Sequence, residues 1–306
     1  MEFIYILAGL IGLFFGGEAL VRGSVGLAVR LAISPLLIGL TVVGFGTSTP
    51  ELLVSLKAAL SGAPDIALGN VIGSNIANIL LIVGLTALVW PIRVLGQTLR
   101  RDVGVMVAAA LLLVPMLAMG EIGRAAGVIL IAFLAIYLVW AYLAPGDAAP
   151  TDPDMPEPMA ILPAALWITI GLIGLIVGAQ LLVIGAVEIA RSFGMSEAFI
   201  GLSIVAVGTS LPELATSVVA AFRRQSEIAI GNVVGSNIFN ILGILGVTSV
   251  ISPITVAPRF LTFDLPVTIG ASVLLAVLLL TRPRIGRIMG LILLAGYFTY
   301  IIYAQS

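Results

Sequence analysis

The chain has 306 residues, of which 60% are hydrophobic and 9% charged, and its formal net charge is −1. A water-soluble domain cannot cover itself with so few polar residues, so these values exclude an ordinary soluble enzyme and give no support to a nucleic-acid partner. The absence of Cys and His removes thiol chemistry, disulfides, HExxH metal hydrolysis and histidine proton relays.

The groups left to bind a metal are oxygens of Glu, Asp, Ser, Thr, Asn and backbone carbonyls, a set suited to hard cations such as Na⁺, K⁺, Ca²⁺ and Mg²⁺. At roughly 30 residues per span and loop, the length accommodates about ten spans. Apolar runs predict spans over about 3–29, 35–60, 66–89, 102–120 and 124–144, then 161–190, 197–221, 228–251, 263–281 and 287–303. The first carries Glu2 where a signal peptide has basic residues and shows no persuasive cleavage site, so it reads as a retained span. Spans one and six are long enough to tilt or to extend beyond the bilayer. Residues 145–160, PGDAAPTDPDMPEPMA, read as a disordered, solvated linker. The predicted organisation is therefore an N-terminal half over 1–144, a linker over 145–160 and a C-terminal half over 161–306. The fold class is an all-α membrane protein of ten transmembrane helices.

The halves repeat one another. GFGTSTPELLVSL at 44–56 returns as AVGTSLPELATSV at 206–218, and ALGNVIGSNIANIL at 67–80 returns as AIGNVVGSNIFNIL at 229–242, both 162 positions later. Five spans per half is an odd number, so the second half enters the membrane upside down. With both termini outside, the inner segments carry Arg22, Arg30, Arg93, Arg100, Arg101, Arg223, Arg224, Arg282, Arg284 and Arg287; the outer ones carry Lys57, Arg124, Arg191 and Arg259. The positive-inside rule favours that orientation, with the linker inside. Inverted halves with polar, interrupted helices in matching positions point to a secondary transporter with its site near the midplane.

Within span two, the Pro50 ring removes a donor and collides with the carbonyl of Gly46; Pro212 does the same to Gly208. The freed carbonyls are tolerable at membrane depth only where they line a cavity or meet an ion. Thr47, Ser48 and Glu51 fall near one helical face beside them, and Thr209, Ser210 and Glu213 repeat the pattern. Ser48 to Glu51 also reads as a capping box restarting a helix, although a cap alone gives no reason to hold a carboxylate in hydrocarbon. In spans three and eight, Asn70, Ser74 and Asn78 form an i, i+4, i+8 stripe matched by Asn232, Ser236 and Asn240. For Asn70, Asn75, Asn232 and Asn237, ligation and polar packing between helices are equally compatible with the spacing. Gly69 and Gly73, with Gly231 and Gly235, give G-x-x-x-G faces for close helix approach. Glu18 has Arg22 one turn later as a local partner, which suggests a structural pair, and Glu188 reads as solvated.

GTSTPEL with GNVIGSNIANI, and GTSLPEL with GNVVGSNIFNI, resemble the two alpha repeats of the cation/Ca²⁺ exchanger superfamily, and most of all its prokaryotic Na⁺/Ca²⁺ exchangers. The resemblance implies ten helices in two inverted halves, with ions between helices two, three, seven and eight. It implies as ligands Thr47, Ser48, Glu51, Ser74 and Asn78, then Thr209, Ser210, Glu213, Ser236 and Asn240, with backbone carbonyls near Gly44 and Ala206. It implies no enzymatic activity and no cofactor. It implies Na⁺ and Ca²⁺ as the transported ions, exchanged by alternating access across a prokaryotic inner membrane, with lipid as the surroundings. GTSxPE stands where the proton-coupled branch carries G-N-A-x-E, which favours sodium; a Ca²⁺/H⁺ antiporter is the alternative and a cation channel a more distant one. Many relatives, K⁺-dependent exchangers among them, have Asp where this chain has Asn240, so the pocket has one acid fewer and the case for K⁺ weakens.

Overall fold

The computed structural model describes residues 1–93, 98–143, 158–195 and 206–304. Its helices are α1 (Glu2–Leu31), α2 (Pro35–Thr47), α3 (Thr49–Leu60), α4 (Pro64–Val89), α5 (Thr98–Ala118) and α6 (Arg124–Leu143) in the first half. The second half has α7 (Ile161–Ser192), α8 (Ala206–Thr209), α9 (Leu211–Phe222), α10 (Ser226–Ile251), α11 (Phe260–Thr281) and α12 (Arg287–Ala304). Among the described residues, eight helices are long and apolar enough to cross a membrane, and α2 with α3 makes a ninth candidate bent by 43°. The span expected over 197–221 falls partly on residues outside the described set, and α8 with α9 is its described part. The linker expected over 145–160 lies outside the described residues up to 157.

Local chemistry sets the ends of these helices. α1 stops at Ala32, whose left-handed φ of 53° lets its N–H return to the carbonyls of Ala28 and Val29. α2 starts at Ser34, whose Oγ accepts from the Leu37 N–H, with Pro35 in the first turn. The tight turn between α3 and α4 has Gly62 at φ 74°, and Arg224 occupies the corresponding position before α10 at φ 61°. A left-handed backbone is free of strain at glycine and not at arginine. Expected and observed helices differ most at α5 and α11, which begin about a turn earlier than hydropathy suggests, at Thr98 and Phe260.

α10 and α4 form the centre: 94% and 83% of their spanning windows are buried, against 17% in α12 and 28% in α6. α1 and α7 pack lengthwise along a stripe of glycines. A Cβ added at Gly16 would lie 2.6 Å from the Leu175 nitrogen, and one at Gly171 would lie 2.5 Å from that of Leu20. The halves are also stitched by two short antiparallel ribbons. β1 (Ile92–Arg93) pairs with β4 (Arg284–Ile285), and β2 (Glu121–Ile122) pairs with β3 (Ile254–Thr255).

Gly231 and Gly235 realise their expected close approach, packing on the Leu36–Leu40 stretch of α2. The equivalent stretch 198–202 lies outside the described residues. Wider π-helical turns interrupt α2 at Gly39–Val43, α4 at Asn78–Ile82 and α10 at Phe239–Leu245. Such turns insert one residue into the helical ladder and concentrate at functional sites; these three adjoin or contain an expected site residue, whereas a fourth, Phe260–Asp264 at the start of α11, contains none.

Candidate cation site

The helix break falls at Ser48 (φ −84°, ψ 6°) and at Ser210 (φ −89°, ψ 5°), two residues before the prolines. Each break starts a new helix, α3 or α9, with Glu51 or Glu213 in its first turn. The unpaired N–H groups and positive dipole end of a helix start favour a carboxylate there. The side-chain cap expected of Ser48 is not formed. Its Oγ instead donates to Glu213 Oε1 of the other half at 2.8 Å, and Ser210 Oγ faces Glu51 Oε1 at 3.4 Å. The break therefore turns each serine away from its own helix and towards the opposite glutamate.

Both glutamates are 1% exposed. Each has one oxygen facing a serine, while Oε2 of Glu51 and Oε2 of Glu213 have no hydrogen-bond partner. A buried carboxylate oxygen without a donor is costly and calls for a counterion or a proton. Ser74 Oγ lies 3.5 Å from Ser210 Oγ, which extends the chain of oxygens to α4. On the other side, the Thr47 hydroxyl lies 3.3 Å from the Gly44 carbonyl and 3.1 Å from Asn232 Oδ1, one proton for two acceptors. Ser236 Oγ donates to the same Gly44 carbonyl at 3.2 Å. Asn240 donates to Asn75 Oδ1 at 3.5 Å; its own Oδ1 and that of Asn78 are buried without partners. Thr209, at the end of α8, is half-buried. Ala206 opens that helix and borders residues outside the described set.

The asparagines that sequence left undecided now separate. Asn70 Nδ2 donates to the Glu51 carbonyl at 3.0 Å and to Ser55 Oγ at 2.8 Å. Asn232 Nδ2 repeats this with the Glu213 carbonyl at 3.1 Å and Ser217 Oγ at 2.9 Å. These two amides clamp the backbone of each glutamate to the neighbouring helix. Asn237 turns outward to the Met106 sulfur at 3.8 Å, whereas Asn75 stays beside Asn240.

Sequence reasoning passed over Ser55 and Ser217, although each follows its glutamate by four residues in both copies. It also passed over Asp102 and Asp264, again 162 positions apart. Asp102 Oδ1 accepts from Arg101 at 2.7 Å and from Tyr137 at 3.2 Å. Asp264 accepts from Arg259 at 3.3 Å and from Tyr300 at 3.0 Å. These paired networks tie α5 to α6 and α11 to α12. Glu188 is exposed, as expected. The expected Glu18–Arg22 pair is not formed: Glu18 binds Arg223, and Arg22 lies over the Trp167 ring, 4.8 Å from its centroid.

A family model described as sodium/calcium exchanger protein matches residues 1–143 and 163–305. The chain is 41% identical over 307 residues to the putative antiporter CaxA of Alkalimonas amylolytica, covering 97% of this chain and 96% of that protein. It is 30% identical over 342 residues to the sodium/calcium exchanger MaX1 of Methanosarcina acetivorans, covering 99% and 98%. The solved structure of the sodium-calcium exchanger NCX_Mj matches with a TM-score of 0.86 at 35% identity over 98% of each chain. A family match through both halves and a likeness in fold over nearly the full length agree with the duplicated, glutamate-bearing breaks: the chain belongs to the sodium/calcium exchanger protein family.

Proposed function

We propose that this protein is a sodium-driven Ca²⁺ antiporter whose ions bind between Glu51 and Glu213. The observation that carries this reading is the pair of buried carboxylates, each facing a serine of the other half and each with a second oxygen lacking any donor. Two ionised glutamates give the pocket a charge of −2, which one Ca²⁺ neutralises. Ca²⁺ takes six to eight oxygens at about 2.3–2.6 Å, and the glutamates, carbonyls and water can supply them. The proposed ligand set is Thr47, Ser48, Glu51, Ser74 and Asn78 with Thr209, Ser210, Glu213, Ser236 and Asn240, completed by carbonyls near Gly44 and Ala206. Sodium ions use the same oxygens, so the two cargoes exclude each other. An empty pocket leaves two bare charges in low dielectric, and closing it in that form is unfavourable. That penalty couples movement in one direction to movement in the other.

In this reading the chain has ten spans in two inverted five-helix halves, with 1–144 and 161–306 as the halves and 145–160 as linker. Both termini lie outside and the protein resides in a prokaryotic inner membrane. α1 and α7, locked together by their glycines, move as one body against the helices that hold the site. Two Na⁺ would neutralise the pocket as one Ca²⁺ does, and any cycle that carries more than two Na⁺ per Ca²⁺ is electrogenic.

The test is Ca²⁺ uptake into proteoliposomes loaded with sodium, with sodium, proton and potassium gradients varied in turn. Uptake follows the outward sodium gradient, and the double substitution Glu51→Gln with Glu213→Gln abolishes it. Uptake driven by a proton gradient without sodium would replace this reading with Ca²⁺/H⁺ exchange, and uptake indifferent to both glutamates would end it.

A further inference from the structure

The packing of α1 against the core differs on the two sides of the pseudo-symmetric site. α1 lies along α9 with Gly17 against Val219, where an added Cβ would come within 3.1 Å of the valine Cγ2. At the end of that contact Glu18 and Arg223 form a two-point ion pair: Arg223 Nε donates to Glu18 Oε2 at 2.8 Å and Nη2 donates to Oε1. Paired forks of this kind are the most directional of salt bridges. The positions equivalent to Glu18 and Arg223 in the opposite half are Gln180 and Ser61, which are both exposed and carry no charge.

The helix surfaces follow the same asymmetry. Val219 is buried and Thr216 fully buried on α9, whereas their equivalents on α3, Lys57 and Val54, are exposed. Ala215 is half-buried and its equivalent Leu53 is 62% exposed. The helix leaving one glutamate is therefore covered by the α1–α7 pair, and the helix leaving the other is not.

We propose that Glu18 and Arg223 are positioning residues for exchange: they hold the α1–α7 body closed over the Arg223 face of the site and thereby favour the state open on the Lys57 face. This rests on the alternating-access reading above. The opposite state has no equivalent pair, because Gln180 and Ser61 cannot supply one, so the two access states differ by one ion pair. A difference in interaction between two states is what shifts their populations. Arg22, one turn beyond Glu18 and held over Trp167 in this state, stands at the i+4 spacing that lets it receive Glu18 when the body moves. That alternative keeps the latch reversible.

The chain contains no cysteine, so a single thiol introduced at Lys57→Cys or at Val219→Cys reports one face. In the otherwise unaltered protein, a water-soluble maleimide labels the thiol at position 57 quickly and the one at 219 slowly. Glu18→Gln or Arg223→Gln raises labelling at 219 about fivefold, the scale of one partly exposed ion pair, without raising it at 57. The charge swap Glu18→Arg with Arg223→Glu restores the original pattern. Gln180→Glu with Ser61→Arg, placed on Glu18→Gln, moves protection towards position 57. Unchanged labelling at 219 overturns the proposal, and so does faster labelling at both positions, which would mark a loosened fold. Sodium-driven Ca²⁺ uptake is measured on the same preparations. Its persistence with unchanged labelling removes the latch alone, whereas loss of sodium dependence in the unaltered protein removes the functional reading.

Discussion

At the scale of single residues, the site is governed by how few donors reach the two glutamates. Ser48 has one proton, and it goes to Glu213 at 2.8 Å; Ser210 stands 3.4 Å from Glu51 and 3.5 Å from Ser74. The first bond is within the usual range for a hydroxyl on a carboxylate and the second is long. The two glutamates are thus held unequally although their sequences match. A hydrogen bond to a charged group contributes about 1.5–3 kcal/mol, and its loss leaves an underserved buried charge. Ser48→Ala is expected to weaken Ca²⁺ binding about tenfold, with a smaller effect from Ser210→Ala. Calorimetric titration of the purified protein with Ca²⁺ checks this, and a larger effect at Ser210 would contradict the order read from the distances. Asn78 and Asn240 bring amide oxygens without further charge, so among the described residues the proposed pocket has two acids, Glu51 and Glu213.

At the scale of elements, the α1–α7 pair depends on glycines rather than on hydrophobic fit, since lipid gives helices no net drive to bury apolar surface. Contact between backbones replaces it. Gly16→Leu places side-chain atoms where the Leu175 backbone already stands, 2.6 Å from the first added carbon. Overpacking of this kind costs about 1–3 kcal/mol and is expected to lower the thermal midpoint in detergent, whereas Gly270→Ala, with open space around it, leaves the midpoint unchanged or slightly higher. Both substitutions raise helix propensity, so equal losses in the two variants would show that the effect does not come from the α1–α7 contact. The broken helices were legible in the sequence because Pro50 and Pro212 have a definite steric consequence, and the glutamates because charge is rare in apolar runs. The π-helical turns were not, since nothing in Asn78–Ile82 or Phe239–Leu245 distinguishes them from ordinary helix. The partner of Glu18 was missed because local spacing offers Arg22, while the observed Arg223 is brought in only by tertiary packing. Asp102 and Asp264 were missed because hydropathy starts their helices at about the aspartates, whereas the helices begin about a turn earlier and draw both inside.

At the scale of the whole molecule, neither half holds a complete set of surfaces. The site takes one glutamate from each half and crosses the serines between them. α7 supplies the groove for α1; Gly84 of α4 meets Gly290 of α12, and Gly127 of α6 meets Gly246 of α10. Both ribbons pair a strand of one half with a strand of the other. An isolated half would therefore expose in lipid the polar faces of Ser48, Glu51, Ser74 and Asn78, which is unfavourable in hydrocarbon, and would leave the strand edges at the helix ends unpaired. Covalent continuity through the linker, by contrast, contributes only the entropy of holding the halves at a high effective concentration. The halves should accordingly reassemble when made as separate chains cut between residues 150 and 151. Co-expressed, they are expected to co-purify through a tag on one of them and to retain sodium-driven Ca²⁺ uptake in proteoliposomes. Either half alone should aggregate on size-exclusion chromatography in detergent. A half that runs alone as a single sharp species, or a co-expressed pair that separates, would show that each half is a self-sufficient fold and that the contacts across the middle are secondary to it.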